Sequence, residues 1–290
     1  MLLLVWPKLM TAGESERTFF QESYASKLLN RKVAYAIHVP TASSIARWKA
    51  QHPSQRLRVV VFLPGYYDQP SDLHSSGLES DLLAQEASGS AAPAIWVAPE
   101  HFHSWYADRK DGSFPFERFL FEEWLPALEK RYPDFGGSQA HRTVLGFSMG
   151  GFGALNLAAR SNAFSRCVAL SPALIEPPFT KATFWVRRTL KRTFPMDLAA
   201  FAPWDPWEHM GGASELILGC GTEDKYHLEV VTRQFAEVCA SKGRTSTLVL
   251  APGGHNWGYW RKAISGLAPK ITQPFGGGDT IPSATEKRLQ

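Results

Sequence analysis

Cysteine is scarce in this chain of 290 residues: there are three, Cys167, Cys220 and Cys239, far apart and each set among apolar neighbours. An odd count without close pairs excludes a disulfide framework and reads as reduced core thiols, which suits a cytosolic compartment. Long hydrophobic runs are missing too, and no stretch approaches the length of a membrane span. The start, Met1-Leu2-Leu3-Leu4-Val5-Trp6-Pro7-Lys8, is too short an apolar run for a signal-peptide core and lacks the basic residues that should precede one. A cytoplasmic protein is therefore expected. Charge of one sign is not concentrated either: 31 Lys and Arg against 27 Asp and Glu leave a formal net charge of +4, with no long basic block. That balance carries no nucleic-acid footprint.

What is present is the composition of an ordinary globular protein. Hydrophobic residues make up 44% and charged residues 20%, which argues against wholesale disorder. The length suffices to bury a core without staples. One domain is expected over residues 1–268, followed by a tail, 269–290, of Gly, Pro and polar residues expected to be disordered.

The most informative stretch is Thr143-Val144-Leu145-Gly146-Phe147-Ser148-Met149-Gly150-Gly151-Phe152-Gly153-Ala154-Leu155. An apolar run that reads as a buried strand leads into a run that reads as a helix. Between them, Gly146-Phe147-Ser148-Met149-Gly150 fits the G-x-S-x-G nucleophile elbow. A strand turning at once into a helix holds the serine in a strained conformation, and a Cβ two residues to either side would collide with neighbouring backbone. Glycine at 146 and 150 removes those clashes. The turn would lift the Ser148 hydroxyl above the sheet and aim the free N–H groups of the helix start at whatever it attacks.

The other elements follow from pattern. Lys32 to Pro40 alternates small or polar with apolar residues, an early antiparallel strand at one edge of the sheet, with His38 an ordinary surface or edge-strand histidine. Arg58 to Leu63 and Ala94 to Pro99 are near-continuous apolar runs, as strands covered on both faces should be. Phe116, Leu120, Trp124, Leu128 and Tyr132 recur at helical spacing, a core-facing stripe with Pro126 as a source of kinking. Further strands are expected at Cys167 to Leu170, Leu216 to Gly221 and Thr247 to Leu250, with a helix carrying Leu228, Val231, Phe235 and Val238 between the last two. From 173 to 210 the alternation lapses into an aromatic and basic insertion, a lid candidate ahead of the late acid-bearing strand.

These strands and helices predict an α/β fold with a mostly parallel central sheet and helices on both faces. His101 and His103 raise a metal reading, since a His-x-His pair at a strand end can point both imidazoles at one ion. Trp105 and Tyr106 stand where the remaining Asp and His ligands should follow, so the count falls short and the pair is expected to line or brace the pocket mouth. No metal is expected.

Taken singly, Asp224 and His255 say little. Their order says more: Ser148, an acid after one late strand and a His after the next is the order of the α/β-hydrolases. In that arrangement Ser148 attacks a carbonyl, His255 takes its proton and returns it to the leaving group, and Asp224 orients the imidazole. Glu223 is the rival for the acid role. The oxyanion donors would be the backbone N–H groups of Tyr66, in the loop after an early strand, and Met149.

Leu63-Pro64-Gly65, Ser104-Trp105-Tyr106-Ala107-Asp108, the elbow, Gly221-Thr222-Glu223-Asp224 and Gly253-Gly254-His255-Asn256-Trp257 together resemble a bacterial esterase family. It groups esterase D, tributyrin-type esterases, feruloyl esterases and the mycolyltransferases, and the resemblance runs from about Lys32 to Trp260. It implies an α/β-hydrolase fold, Asp224 as the acid, no cofactor, and hydrolysis of short-chain or aryl carboxylic esters. Family members commonly show His-Gly where this chain has Pro64-Gly65. The thiol-ester branch carries a Cys near that loop that is absent here, which points away from S-formylglutathione. Two other readings share these residues: an acyltransferase using the same triad with an alcohol or sugar acceptor, and an inactive binding protein on the same fold.

Overall fold

The apolar runs form an eight-stranded sheet in the order β1-β2-β4-β3-β5-β6-β7-β8. The computed structural model describes residues 17–209 and 212–274. The leader expectation for Met1 to Lys8 lies outside them, as does the end of the expected lid segment. The strands are β1 (Phe19–Ser26), β2 (Arg31–His38), β3 (Arg58–Leu63), β4 (Ala94–Pro99), β5 (Arg142–Phe147), β6 (Arg166–Leu170), β7 (Glu215–Gly221) and β8 (Thr247–Ala251). β1 and β2 pair antiparallel, as do β2 and β4, and every other pairing is parallel.

Helices α1 (Ala42–Gln51), α2 (Asp72–Ser75), α3 (Leu78–Ser88), α4 (Phe116–Arg118), α5 (Leu125–Arg131) and α6 (Met149–Arg160) make the first set of connections. Helices α7 (Phe184–Thr193), α8 (Leu198–Phe201), α9 (Leu228–Ser241) and α10 (Trp257–Thr272) complete them. The central strands are buried on both faces, and their side chains alternate between two cores. Val59, Val61 and Leu63 of β3 join the core under α5, α6 and α9. Val60 and Phe62 join the core under α3 and α10. Among the described residues no helix is long and apolar enough to cross a membrane.

The expected stripe is in the core: Phe116, Leu120, Trp124 and Leu128 are buried. Its irregularity lies upstream of Pro126. A π-helical segment, Phe119–Trp124, joins α4 to α5 without a break, and Glu122, four residues before Pro126, lies within it, where the proline can offer no N–H to its carbonyl. At the C-terminus, α10 runs to Thr272, past the boundary expected at 268. The reason is non-local: Arg166 donates to the Ile271 carbonyl at 2.9 Å and Arg58 to the Gln273 carbonyl at 2.6 Å. The rest of the expected tail, from 275, lies outside the described residues.

His38 departs from its expected place. It is fully buried, facing α3, with Nε2 3.3 Å from Glu86 Oε1 and Nδ1 3.6 Å from Glu79 Oε1. Burial by itself would lower its pKa, but the hydrogen bonds and charges of Glu79 and Glu86 outweigh burial and raise it. Burial likewise opposes ionisation of Glu79, yet hydrogen bonds from His38, Thr18 and His74 hold its carboxyl down at about 2.

The two shifts have opposite linkage. The His38 contribution is fully present below its ordinary value of 6.5 and is lost as pH rises through its raised folded value. The Glu79 contribution is present above 4.5 and is lost as pH falls towards 2. The cluster should therefore support the fold most between those two ordinary values. In thermal melts from pH 5 to 9, the deficit of His38→Gln against wild type should shrink as pH rises. A constant deficit would contradict this pairing.

Candidate active site

Ser148 stands at the junction of β5 and α6 with φ 55° and ψ −119°, a strained backbone for a residue with a side chain. The strain is held by Ser148 N–H donating to the Leu170 carbonyl at 3.0 Å and by its carbonyl accepting from Phe152 and Ala173 N–H. The two flanking glycines have the steric reason expected of them. A Cβ on Gly146 would come within 2.2 Å of the Gly150 carbonyl oxygen, and a Cβ on Gly150 within 1.8 Å of the Leu63 carbonyl oxygen. That second contact sets the start of α6 directly against the end of β3.

Three side chains from separate loops meet there. His255 Nε2 lies 3.0 Å from Ser148 Oγ, and His255 Nδ1 lies 2.7 Å from Asp224 Oδ2. His255 is delivered by the loop after β8, which Asn256 closes by capping α10 through a hydrogen bond from Tyr259 N–H. Asp224, in the turn after β7, is buried. Its Oδ1 accepts from Tyr226 N–H at 2.9 Å, leaving Oδ2 for the imidazole. Burial raises the Asp224 pKa, but the hydrogen bonds from His255 and the Tyr226 N–H outweigh it and hold the carboxylate below its usual range. Glu223, the rival acid, is exposed and ties the turn through its N–H to the Gly253 carbonyl.

Tyr66 follows β3 and Met149 opens α6. Among the described residues neither backbone N–H donates to a protein acceptor. The Tyr66 hydroxyl donates to the Trp185 carbonyl of α7 at 3.2 Å, so the segment between β6 and β7 reaches this loop. Its aromatics divide: Phe179, Phe194 and Phe201 are core, while Phe184 and Trp185 are exposed.

His101 and His103 pack edge-on to each other, with ring centroids 5.0 Å apart. His101 is buried, with Nε2 3.0 Å from the Asp68 carbonyl and Nδ1 accepting from His103 N–H, so it braces the loop. The His103 ring also lies against Tyr66, with ring centroids 4.3 Å apart. Among the described residues no three His, Cys, Asp or Glu side chains form a group that could hold a metal ion.

Several neighbours of the site carry no motif. Tyr226 and Trp260 pack edge-on to the His255 ring, each at 4.9 Å. Asp68 accepts from Trp257 Nε1 at 2.8 Å, and its burial raises its pKa. Cys220 lies behind Asp224, with Sγ 3.7 Å from Oδ2. Burial pushes the thiols of Cys167 and Cys220 up to about 12 and that of Cys239 up to about 11, so none is a ready thiolate. The only hint in sequence for these neighbours was their proximity to the motifs.

The fold is similar to that of several solved esterases. A ferulic acid esterase is 25% identical, with 89% of this chain and 98% of that one covered and a TM-score of 0.67. An S-formylglutathione hydrolase from Staphylococcus aureus is 16% identical over 87% of this chain and 98% of that one, with a TM-score of 0.69. A ferulic acid esterase from the fungus Anaeromyces mucronatus is 17% identical over 92% and 94%, with a TM-score of 0.63. No curated protein matches the chain in sequence. The model of one family, described as "Putative esterase", matches residues 26–271, from the end of β1 to the last turn of α10. With that match over most of its length, the chain belongs to this esterase family and is a carboxylic-ester hydrolase of the α/β-hydrolase fold.

Proposed function

We propose that the protein is a serine esterase that cleaves short-chain acyl or aryl esters through Ser148, His255 and Asp224 and a covalent acyl-enzyme. The observation that carries this reading is the unbroken hydrogen-bonded line from Asp224 Oδ2 through His255 to Ser148 Oγ, at 2.7 and 3.0 Å. His255 Nε2 takes the hydroxyl proton as Oγ attacks the ester carbonyl. Asp224 keeps the proton of Nδ1 in place and stabilises the imidazolium that forms. The developing oxyanion is received by the N–H groups of Tyr66 and Met149, each such donor being worth about 3 kcal/mol in the transition state. His255 then protonates the leaving alkoxide, and water, activated by the same imidazole, releases the acid.

The aryl preference is supported by exposed rings around the triad. Tyr67, Trp185 and Tyr226 are 73%, 61% and 53% exposed. Tyr67 packs on Tyr66, Trp185 is held by it, and Tyr226 lies on His255. Such rings gain from covering an aromatic or acyl group. The α7 segment is then part of the cover of the site, and the buried thiols suit a cytoplasmic setting.

Hydrolysis of p-nitrophenyl esters of graded chain length tests the reading. Short acyl chains should give the higher kcat/KM, with a p-nitrophenol burst that approaches one equivalent where deacylation is slow. Absence of turnover on every chain length in folded protein would refute it.

A further inference from the structure

Beside the Tyr66 loop lies a cavity of about 340 Å³, lined by Arg31, Arg109, Arg192, His103, Phe114 and Glu100 among others. Three guanidiniums converge on it from three elements: Arg31 from the start of β2, Arg109 from the loop after β4 and Arg192 from the end of α7. Among the described residues none of the three is ion-paired; Arg109 is half-buried, and Arg31 and Arg192 are exposed at the rim. Glu100 is the one carboxylate in the lining, and its Oε2 faces the Ala34 N–H at 3.4 Å.

Unpaired like charges held together are costly unless a counter-charge joins them. The cost is visible at Arg109, whose pKa is lowered by burial and then by the charges of Arg192 and Arg31, against the opposing charge of Asp111. The cluster is nevertheless held in place. Arg31 lies over the rings of Phe102 and Phe114 at 5.0 and 5.4 Å, and Arg109 over Phe114 at 4.6 Å. Lys110 N–H donates to the Thr193 carbonyl at 2.8 Å, tying the Arg109 loop to the end of α7 beside Arg192. Stacking occupies guanidinium faces and leaves their N–H edges for an oxygen acceptor.

The cavity is joined to the triad side by one layer of rings. His103 lines it and packs on Tyr66, the residue whose N–H faces the reacting carbonyl in the reading above, and Gln69 of the same loop lines it too. We propose that this cavity binds an oxyanion group, a carboxylate or phosphate, carried by the ester that Ser148 cleaves, so that acidic esters are preferred over neutral ones of the same size. The proposal rests on the esterase reading for the word substrate, but its binding site stands on its own residues.

The test separates the two. Ser148→Ala protein is titrated calorimetrically with ester pairs: monophenyl glutarate against phenyl butyrate, and the butyryl esters of para-hydroxybenzoate and of para-hydroxyphenyl phosphate against that of methyl para-hydroxybenzoate. These place the anion on either side of the ester and distinguish carboxylate from phosphate. At low salt at least one anionic ester should bind about tenfold more tightly than its neutral partner. Adding Arg109→Gln or the exposed Arg192→Gln should bring that ratio below about threefold, as should 0.5 M salt by screening. Equal binding within every pair, or a preference that survives both arginine variants, would overturn the proposal. Tight anionic binding alongside a wild type that hydrolyses no ester would instead refute the esterase reading and leave the pocket standing.

Discussion

Ser148→Ala is expected to lower kcat/KM on p-nitrophenyl esters by about ten-thousandfold or more while leaving the fold intact. The substitution removes Oγ and its contact to His255 at 3.0 Å, and little else. The backbone at φ 55° is as strained for alanine as for serine, and the bonds that hold it use only main-chain atoms of residue 148. The melting temperature should therefore move by no more than a few degrees. Residual activity would come from the two oxyanion N–H groups and from binding. Full activity in a folded variant would remove Ser148 from the mechanism.

Asp224→Asn is expected to cost nearly as much, about a thousand- to ten-thousandfold, through a different atom. An amide in this pocket still accepts from Tyr226 N–H through its oxygen, so its NH2 is turned towards His255 Nδ1. A donor there demands a bare Nδ1, and the proton moves to Nε2, where it blocks acceptance from Ser148. The loss should fall on kcat, with KM little changed. Glu223→Gln, at the exposed neighbour, should alter turnover by less than about twofold. The reverse ranking of the two amide variants would make Glu223 the acid.

The parts of the site that could be read in the sequence are those imposed by local sterics and by chain order. Gly146 and Gly150 announce the elbow because no Cβ fits against the Gly150 and Leu63 carbonyls, a constraint contained within a dozen residues and one neighbouring strand. The positions of Asp224 and His255 follow from strands that alternate with helices, each placing its next loop at the same end of a parallel sheet. The edge hairpin and the stripe through Phe116, Leu120, Trp124 and Leu128 show their periods openly.

What could not be read depends on partners distant in sequence. His38 alternates like any edge-strand residue, and only the arrival of α3 with Glu79 and Glu86 buries it. Pro126 marks an irregular helix, but that the irregularity takes a π-helical form over Phe119–Trp124 is not written in the spacing. Composition past Ala268 pointed to a tail, yet carbonyls of 271 and 273 are taken by Arg166 and Arg58 from the far ends of β6 and β3. Tyr226 reaches the His255 ring from the turn after β7 and Trp260 from the first turn of α10, and neither spacing nor pattern marks them. The arginine cavity is of the same kind: Arg31, Arg109 and Arg192 are scattered in sequence and gather only when α7 docks beside the β4 loop.

The most direct test of the account is intact-mass measurement after treatment of wild type and Ser148→Ala with a fluorophosphonate, with both proteins shown to be folded by thermal melt. A nucleophile activated by the His255 and Asp224 line should take up one phosphonate per chain, and the variant should take up none. An unlabelled wild type, or an adduct that persists in Ser148→Ala, would contradict the assignment of Ser148 as the nucleophile.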